Sequence, residues 1–281
     1  MNEVSAEKLK SIIANRCLEI KMNLNNGYVP SNEENLIDLF QNWSEIKNEL
    51  SNGSGSELNN KFNAVHSSSA LCVNNFAPFK LYKDNITFLG FSNFIEATFE
   101  KKLPTSLGGT PPNLDFYLET QHEIIGIESK FLETIDGKAP NKDNNLSPYL
   151  KNITKLSYLP EGFIELLKKY DTDDKKQQLD IAQLLKHSIG IIHRSKTKYK
   201  YFLNSMFTKP VLVYIYWQPQ NWFNIDIYCN HENEIIQFLD GIRKFITFIP
   251  ISYLEFWKTY ENDSRYSEHI GKMKERYLIT I

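Results

Sequence analysis

The chain has 281 residues and a formal net charge of −2, and 41% of its residues are hydrophobic and 23% charged. This composition is typical of a globular protein that can bury a sizeable core in one large domain or two small ones. The charge balance excludes a uniformly basic nucleic-acid-binding protein, so the positive surface of a nuclease would have to be local.

The cysteines and the apolar runs exclude further classes. Cys17, Cys72 and Cys229 lie far apart, without a Cys-x-x-Cys or a paired histidine spacing, which argues against a structural zinc site and a disulfide framework. The amino terminus lacks the apolar segment of a signal peptide, and no run approaches the roughly 18 apolar residues of a membrane span. We therefore predict a cytoplasmic protein without a membrane partner.

Two amphipathic helices are predicted near the amino terminus. In residues 5–21 and 32–50, apolar residues recur every three or four positions, which is typical of a helix with one buried face. The glycine- and serine-rich stretch 51–56 is the clearest linker signal in the sequence. It predicts a helical amino-terminal region, residues 1–56, followed by a domain of residues 57–281.

The middle of the chain predicts a helix followed by two strands. Residues 92–103 favour a helix, because several aromatic and aliphatic residues share one helical face. Residues 113–119 and 124–131 are apolar runs of strand length, and the polar residues 120–123 between them are few enough for a hairpin turn.

The second half of the chain predicts helices alternating with strands. Residues 134–174 are rich in turn-forming residues and predict a long insertion, which is a lid, a sequence-reading loop or a plain surface excursion. Residues 174–192 predict a helix, 211–217 a central strand and 223–228 a further strand. The predicted fold class is α/β, with a central mixed sheet flanked by helices.

Basic and aromatic residues alternate after this helix. Arg194, Lys196, Lys198 and Lys200 are interleaved with aromatic residues at 199–202. Such a pattern can grip phosphates and stack on bases. A solvated loop or strand face is the alternative.

Three ionisable residues interrupt the two central strands. Asp115 stands in the first strand, and Glu128 and Lys130 stand in the second. Charged residues are almost never buried unless they are paired or bind a metal. Because side chains alternate along a strand, Glu128 and Lys130 share a face, and the hairpin can bring Asp115 to the same surface. A cross-strand salt bridge at a sheet edge, with Lys130 paired to Asp115 or Glu128, is the structural alternative.

Two carboxylates and an ammonium on rigid strands suit metal-assisted phosphodiester chemistry. Mg²⁺ binds through one or two carboxylates, water and substrate phosphate, and Mn²⁺ can take its place. The metal can polarise a phosphoryl oxygen and activate water. The lysine can stabilise the developing negative charge, or orient or deprotonate the water.

Pro112-Asn113-Leu114-Asp115 followed by Glu128-Ser129-Lys130 resembles the motif of the PD-(D/E)xK phosphodiesterases, the restriction-endonuclease-like nucleases. The resemblance implies a restriction-endonuclease-like core, with Asp115 and Glu128 as metal ligands and Lys130 as the catalytic lysine. It also implies the Ser129 carbonyl as a metal ligand. Asp115 does not follow the proline directly, which departs from the family pattern.

The resemblance also points to auxiliary residues. Family members often carry an acidic residue on the helix before the Asp strand, and Glu96 or Glu100 could fill that place, although Asn93 and Glu96 also form a capping-box pattern. Some members carry Gln-x-x-x-Tyr on a helix after the Lys strand, and Gln183 and His187 have that spacing, with His in place of Tyr. A solvated helix face is the simpler expectation for this pair.

These patterns predict an Mg²⁺-dependent endonuclease that hydrolyses phosphodiester bonds in DNA, in a restriction-type or defence system. A homodimer would suit an enzyme that cuts both strands, although no coiled-coil pattern demands one. The alternative is a nucleic-acid-binding or assembly protein that keeps the fold without cleaving. The presence of Asp115, Glu128 and Lys130 argues against that alternative.

Overall fold

A five-stranded mixed β-sheet lies at the centre of the computed structural model, which describes residues 4–53, 57–140, 146–198 and 209–281. The strands are β1 (Thr87–Phe88), β2 (Phe91–Ser92), β3 (Glu96–Lys102), β4 (Asn113–Glu119), β5 (Ile124–Lys130), β6 (Val211–Tyr216) and β7 (Thr247–Ser252). β1 and β2 form a separate hairpin, and the sheet has the order β3-β4-β5-β6-β7. β3, β4 and β5 pair antiparallel, whereas β5, β6 and β7 pair parallel.

Helices surround this sheet. They are α1 (Ala6–Glu19), α2 (Trp43–Ser51), α3 (Ser68–Leu81), α4 (Glu133–Asp136), α5 (Ser147–Leu150), α6 (Phe163–Asp171), α7 (Ile181–Lys198), α8 (Asp226–Ile242), α9 (Tyr253–Tyr260) and α10 (Ser267–Tyr277). Short 3₁₀ turns occupy Glu33–Asn35, Lys83–Asn85, Ile153–Leu156 and Trp222–Asn224, and Glu57–Lys61 form a π-helical turn. Within the described ranges, no helix combines the length and the apolar character needed to cross a membrane.

Each face of the sheet packs against its own set of helices. On one face, Phe116, Ile125 and Val213 belong to a buried cluster that includes side chains of α1, α3, α9 and α10. On the other face, Leu212 and Tyr214 pack with side chains of α6, α7 and α8. β6 is covered on both sides and every residue in it is buried, which explains its continuous apolar sequence. The predicted α/β class is confirmed and is consistent with a restriction-endonuclease-like fold.

The amino-terminal helices share a core with the sheet. α1 confirms the predicted helix at residues 5–21, and its Leu9 and Ile13 belong to the same buried cluster as Phe116. The predicted domain boundary at residue 56 stays a prediction, and residues 54–56 lie outside the described residues.

The predicted helix at residues 32–50 is only partly correct, because α2 begins at Trp43. The Asn74 side chain of α3 accepts a hydrogen bond from Ile37 N at 2.7 Å and donates one to Asn35 O at 3.0 Å. These tertiary hydrogen bonds satisfy backbone groups that a helix would otherwise have to pair.

α2 closes the outer edge of β3. Glu49 Oε2 accepts a hydrogen bond from Phe99 N at 2.9 Å, and Lys80 Nζ donates to Ala97 O at 2.8 Å. Lys80 Nζ also lies 2.9 Å from Glu49 Oε1. Backbone groups that could recruit a foreign strand are therefore occupied within the chain.

Two predicted elements have the wrong type. Residues 92–103 were predicted as a helix, but they contain β3, where Ala97 and Phe99 are buried and their neighbours are partly exposed. Residues 223–228 were predicted as a strand, but α8 begins at Asp226. Its buried residues recur at a helical spacing as far as Ile242. The short alternation of apolar and polar residues at 223–228 therefore leads into a helical pattern and does not mark a strand.

The predicted insertion, residues 134–174, contains secondary structure of its own. α6 buries four apolar or aromatic residues against α7 and α8, so a structureless excursion is wrong for that part. The next predicted helix, at residues 174–192, corresponds to α7 (Ile181–Lys198), which begins and ends later in the sequence than predicted. It begins after Asp180, whose Oδ1 accepts a hydrogen bond from Gln183 N at 3.0 Å and caps the helix.

α7 approaches β5 closely because Gly126 has no side chain. A Cβ built at Gly126 would lie 2.6 Å from Ile191 Cδ1 and 2.7 Å from Leu114 Cδ1. Separations this short force neighbouring atoms to shift. The glycine therefore sets how near α7 can lie to the strand that carries Glu128 and Lys130.

We expect Gly126→Ala to lower the free energy of unfolding by about 1–3 kcal/mol, because an extra methyl group overpacks this contact. Urea denaturation measures the change. Gly108→Ala is the matched control, since a Cβ at Gly108 meets no atom within 4 Å. Equal denaturation midpoints for the two variants would contradict the packing argument.

Candidate active site

β4 and β5 separate at the end of the sheet that carries the predicted site residues. Their ladder ends at Phe116 and Ile127, whereas β5 continues to pair with β6 as far as Lys130. The Asp115 carboxylate takes the place of the next ladder bond, because its Oδ2 accepts a hydrogen bond from Ser129 N at 2.7 Å. The separation of the strands thus places Asp115 directly on the Glu-Ser-Lys segment.

Glu128 and Lys130 share one face of β5 and form a buried ion pair. Lys130 Nζ lies 2.7 Å from Glu128 Oε1, and the two side chains are 14% and 1% exposed, respectively. The pairing of Lys130 with Glu128 that the structural alternative included is therefore present, but it lies within the central strand and not across strands at a sheet edge. It explains how an apolar strand can hold a carboxylate, and it means that the pair contributes to folding as well as to any chemistry.

α7 adds a second contact to each member of the pair. Lys130 Nζ donates a hydrogen bond to Gln183 Oε1 at 2.8 Å. His187 Nε2 lies 2.8 Å from Glu128 Oε2. His187 is 2% exposed, so the expected solvated helix face is wrong for this residue. The sequence did carry a signal, since His187 lies three residues after Leu184 and four before Ile191, within the buried stripe of the helix.

The electrostatics of the two carboxylates differ. Burial raises the pKa of Glu128, but Lys130 and His187 outweigh burial and hold that pKa below its ordinary value. Burial, together with the Glu128 charge, raises the pKa of Asp115 well above its ordinary value. Burial lowers the pKa of Lys130, but the Glu128, Glu133 and Asp115 charges outweigh it and raise the pKa. A second negative charge at Asp115 is therefore disfavoured, although Lys130 and the Ser129 N–H offset that effect in part.

Glu100, the other acidic candidate of this segment, is a further acidic neighbour of Asp115. The β3–β4 ladder skips the pair Glu100 and Asp115, and Glu100 has a φ of 53°, in the left-handed region. Asn113 Nδ2 donates a hydrogen bond to Glu100 Oε2. The Glu100 charge also raises the pKa of Asp115.

Glu96 lies at the other end of β3. It pairs in the ladder with Glu119, and its Oε1 accepts hydrogen bonds from Thr98 and Lys101. The predicted position of Glu96 on a helix beside the site is wrong, because this segment is an edge strand whose local ion pair satisfies the carboxylate.

The basic residues predicted to bind nucleic acid, Arg194, Lys196 and Lys198, do not lie on one face of α7. Arg194 and Lys198 lie one turn apart on α7 and form ion pairs with the buried Glu119 at 3.2 and 2.8 Å. Lys196 is exposed, and Lys200 lies outside the described residues. Arg194 is eleven residues after Gln183, about 16 Å along a helix. Arg194 and Lys198 therefore stabilise the far end of β4, and their contact with nucleic acid stays a prediction.

A metal ion at this site would rely on two carboxylates. Across the described residues, no group of three or more His, Cys, Asp and Glu side chains is placed to hold a metal. Asp115 and Glu128, completed by water and phosphate, are nevertheless a donor set that Mg²⁺ accepts. A divalent cation between the two carboxylates would offset the repulsion between Asp115 and Glu128. Ser129 gives its N–H to Asp115 and pairs its hydroxyl with Tyr253 at 2.7 Å, and its carbonyl as a ligand stays a prediction.

Comparison with known proteins gives one match. The sequence profile of a family described as "Restriction Endonuclease associating with ARP" matches residues 7–278. This range includes the amino-terminal helices as well as the sheet and its candidate site. No curated protein and no solved structure matches the chain.

The buried ion pair makes a prediction about stability. We expect Lys130→Met to lower the free energy of unfolding by about 3 kcal/mol, because Glu128 then keeps only His187 as a partner. The double variant Glu128→Gln/Lys130→Met should recover most of that loss. Urea denaturation at pH 7 measures both, and Lys196→Met, at an exposed position of α7, is the control. A Lys130→Met variant as stable as the control would contradict the buried-pair argument.

Proposed function

Because the chain belongs to the family described as Restriction Endonuclease associating with ARP, we propose that it is an Mg²⁺-dependent endonuclease of the PD-(D/E)xK type. Its substrate is DNA, whose phosphodiester bonds it hydrolyses in a cytoplasmic restriction-type defence system. The observation that carries the proposal is the convergence of Asp115, Glu128 and Lys130 where β4 and β5 separate.

The three residues have distinct roles in this proposal. Asp115 and Glu128 would hold Mg²⁺, or Mn²⁺ in its place, which when bound polarises the phosphoryl oxygen and favours ionisation of water. Ser129 N orients the Asp115 carboxylate. The Lys130 side chain lies between two acceptors, Glu128 Oε1 and Gln183 Oε1, which suits an ammonium that donates to both. Lys130 therefore stabilises the negative charge that develops on the phosphoryl oxygens rather than acting as a base.

α7 organises the site before substrate arrives. Gln183 holds the Lys130 ammonium, and His187 fixes the second oxygen of Glu128. Groups that are oriented in advance do not have to reorganise during the reaction, and this is a large part of electrostatic catalysis. Gln183 and His187 are thus positioning residues in the proposed mechanism.

The proposal includes partners beyond DNA. The family description names an association with ARP, and we extend that association to this chain. A homodimer is the simplest arrangement by which one site per chain would cut both strands of a duplex.

One observation favours the alternative of a non-cleaving nucleic-acid-binding or assembly protein. Both carboxylate oxygens of Glu128 already lie within 2.8 Å of a nitrogen, that of Lys130 or that of His187. A carboxylate held in this way can serve the fold alone. The two experiments below separate the alternatives, because one measures cleavage and the other measures metal binding.

The first experiment is plasmid DNA cleavage with Mg²⁺ or Mn²⁺. We expect Asp115→Asn, Glu128→Gln and Lys130→Gln each to reduce the cleavage rate at least ~100-fold, since each removes a charge that the transition state requires. Glu96→Gln makes the same chemical change at the other end of the sheet and should cleave as wild type does. Circular dichroism confirms that each variant is folded. Full cleavage by the Asp115→Asn variant would exclude the proposed site.

The second experiment measures metal binding without cleavage. We expect Mg²⁺ or Mn²⁺ to raise the melting temperature of the wild type, because a ligand that binds the native state stabilises it by about 2.7 kcal/mol at 100 times its dissociation constant. Asp115→Asn should remove the shift, and Glu96→Gln should retain it. A metal-dependent shift that persists in Asp115→Asn would show that the ion binds elsewhere.

A further inference from the structure

A small cavity lies beside the proposed catalytic lysine. Its volume is about 120 Å³, and it is bounded by Lys130 on β5, by α4 and the loop after it, and by the start of α7. Asp115, Glu128 and His187 do not line it. The Lys130 side chain therefore lies at the boundary between its ion pair with Glu128 and a separate space.

The charges and the size of this cavity suit an ammonium group. Apart from Lys130, its described lining contains two acids, Glu133 and Asp180, and one lysine, Lys138. The carboxylates thus outnumber the remaining lysine by one, which favours a further positive charge. A water molecule takes up about 30 Å³ in the liquid, so a volume of about 120 Å³ has room for the head of a lysine side chain.

Glu133 is a fixed acid on the wall of the cavity. It begins α4, three residues after Lys130, and its Oε2 accepts a hydrogen bond from Phe131 N at 2.7 Å. This bond engages only one of the two carboxylate oxygens. Burial lowers the pKa of Lys130, and the charges that raise this pKa are, in order of effect, those of Glu128, Glu133 and Asp115. After Glu128, Glu133 is thus the acid that acts most strongly on the lysine.

Gln183 borders both the ion pair and the cavity. Its Oε1 accepts a hydrogen bond from Lys130 Nζ at 2.8 Å, and the same residue lines the cavity. A lysine ammonium has three N–H donors on a flexible stem. Lys130 can therefore turn from Glu128 towards Glu133 and keep its hydrogen bond to Gln183.

The present position of Lys130 depends on the negative charge of Glu128. Glu128 Oε1 lies 2.7 Å from Lys130 Nζ, and Glu128 Oε2 lies 2.8 Å from His187 Nε2. A divalent cation on Glu128 would compensate the same carboxylate and repel the ammonium beside it. Under that repulsion, an acid that does not hold the cation becomes the better partner for Lys130.

We propose that Glu133 is a positioning residue, which takes over the Lys130 ammonium when a divalent cation engages Glu128. The inference rests on the proposed metal site and deepens it, because it couples metal binding to the release of the lysine. Held by Glu133 and Gln183, the ammonium keeps one N–H for a phosphoryl oxygen. Lys130 thus stabilises the fold in one position and serves the proposed chemistry in the other.

Isothermal titration with Mn²⁺ alone tests the proposal without requiring cleavage. We expect Glu133→Gln to weaken Mn²⁺ binding about 5- to 10-fold, which is within the range of coupling between contacting residues. The variant should remain folded, because the glutamine oxygen can still accept the hydrogen bond from Phe131 N. Asp136→Asn, at an exposed position of α4 outside the cavity, should bind Mn²⁺ as the wild type does. Equal affinities for the wild type and Glu133→Gln would overturn the proposal.

Lys130→Gln shows whether Glu133 acts through the lysine. We expect this variant to bind Mn²⁺ about 5-fold or more tightly than the wild type, because the cation no longer has to displace an ammonium from Glu128. In the Lys130→Gln background, Glu133→Gln should change Mn²⁺ affinity less than about 2-fold. A weakening as large as in the wild-type background would show that Glu133 attracts the cation directly, and it would overturn the proposal. Glu133 and Asp136 are both exposed, so their comparison decides the proposal even where Lys130→Gln is too unstable to titrate.

The inference and the proposed function fail in different ways. Mn²⁺ binding that is lost in Asp115→Asn but is unchanged in Glu133→Gln would overturn the inference alone. Absence of Mn²⁺ binding to the wild type would overturn the inference together with the proposed metal site. Weakened binding in Glu133→Gln, with plasmid DNA left intact under all conditions, would support the exchange of the lysine and overturn the nuclease alone.

Discussion

The buried contact between β5 and α7 is the constraint on which the rest of the candidate site depends. Two residues along a strand are separated by about 6.6 Å, and four residues along a helix by about 6 Å. Glu128 and Lys130 on the strand therefore face His187 and Gln183 on the helix, one to one. Gly126 permits this match, because a Cβ at that position would lie 2.6 Å from Ile191 Cδ1 of α7 and force that side chain to shift.

The same contact links stability to chemistry. The Glu128 carboxylate is 1% exposed, and a buried charge destabilises a fold unless it is paired. One of its partners, Lys130, is also the ammonium that a phosphodiesterase of the resembled type would use. Asp115 differs, because its surroundings raise its pKa and it is only half-buried. The charge of Glu128 is thus compensated by Lys130 and His187, whereas the negative charge of Asp115 is disfavoured by its surroundings.

The sequence predicted the parts of the site that lie on regular strands. Asp115, Glu128 and Lys130 could be found because each breaks an apolar run, and β4, β5 and β6 lie where those runs predict them. The prediction of a solvated position for His187 is wrong. A helical pattern can show that a residue belongs to a buried stripe, but it does not identify the residue that its side chain contacts. The partner of His187 comes from a strand 59 positions earlier in the chain.

The other differences between prediction and structure have related physical causes. The basic residues from Arg194 to Lys198 alternate in sequence, but a helix turns by about 100° per residue, so alternate residues of α7 do not share a face. Arg194 and Lys198 do share one, and a buried Glu119 takes both. The apolar residues of 92–103 are spaced in a way that is compatible with a helix or a strand. The contacts of this segment with β4 and α2 stabilise the strand β3. Such tertiary contacts override weak local preferences.

Because α2 and α3 occupy backbone groups at the outer edge of β3, the two edges of the sheet differ in how readily they can pair with a strand from another chain. β3 and β7 are the two terminal strands of the sheet, and the backbone of β3 is engaged by Glu49 and Lys80. Within the described residues, extension of the sheet by a strand from another chain is therefore directed to β7. Pro250 lies inside β7 and has no N–H to give. Ser252 N already donates to Glu255 Oε2 at 3.1 Å. Two donor positions of β7 are therefore withheld from a partner that docks by strand addition, which favours a short contact over an open-ended stack.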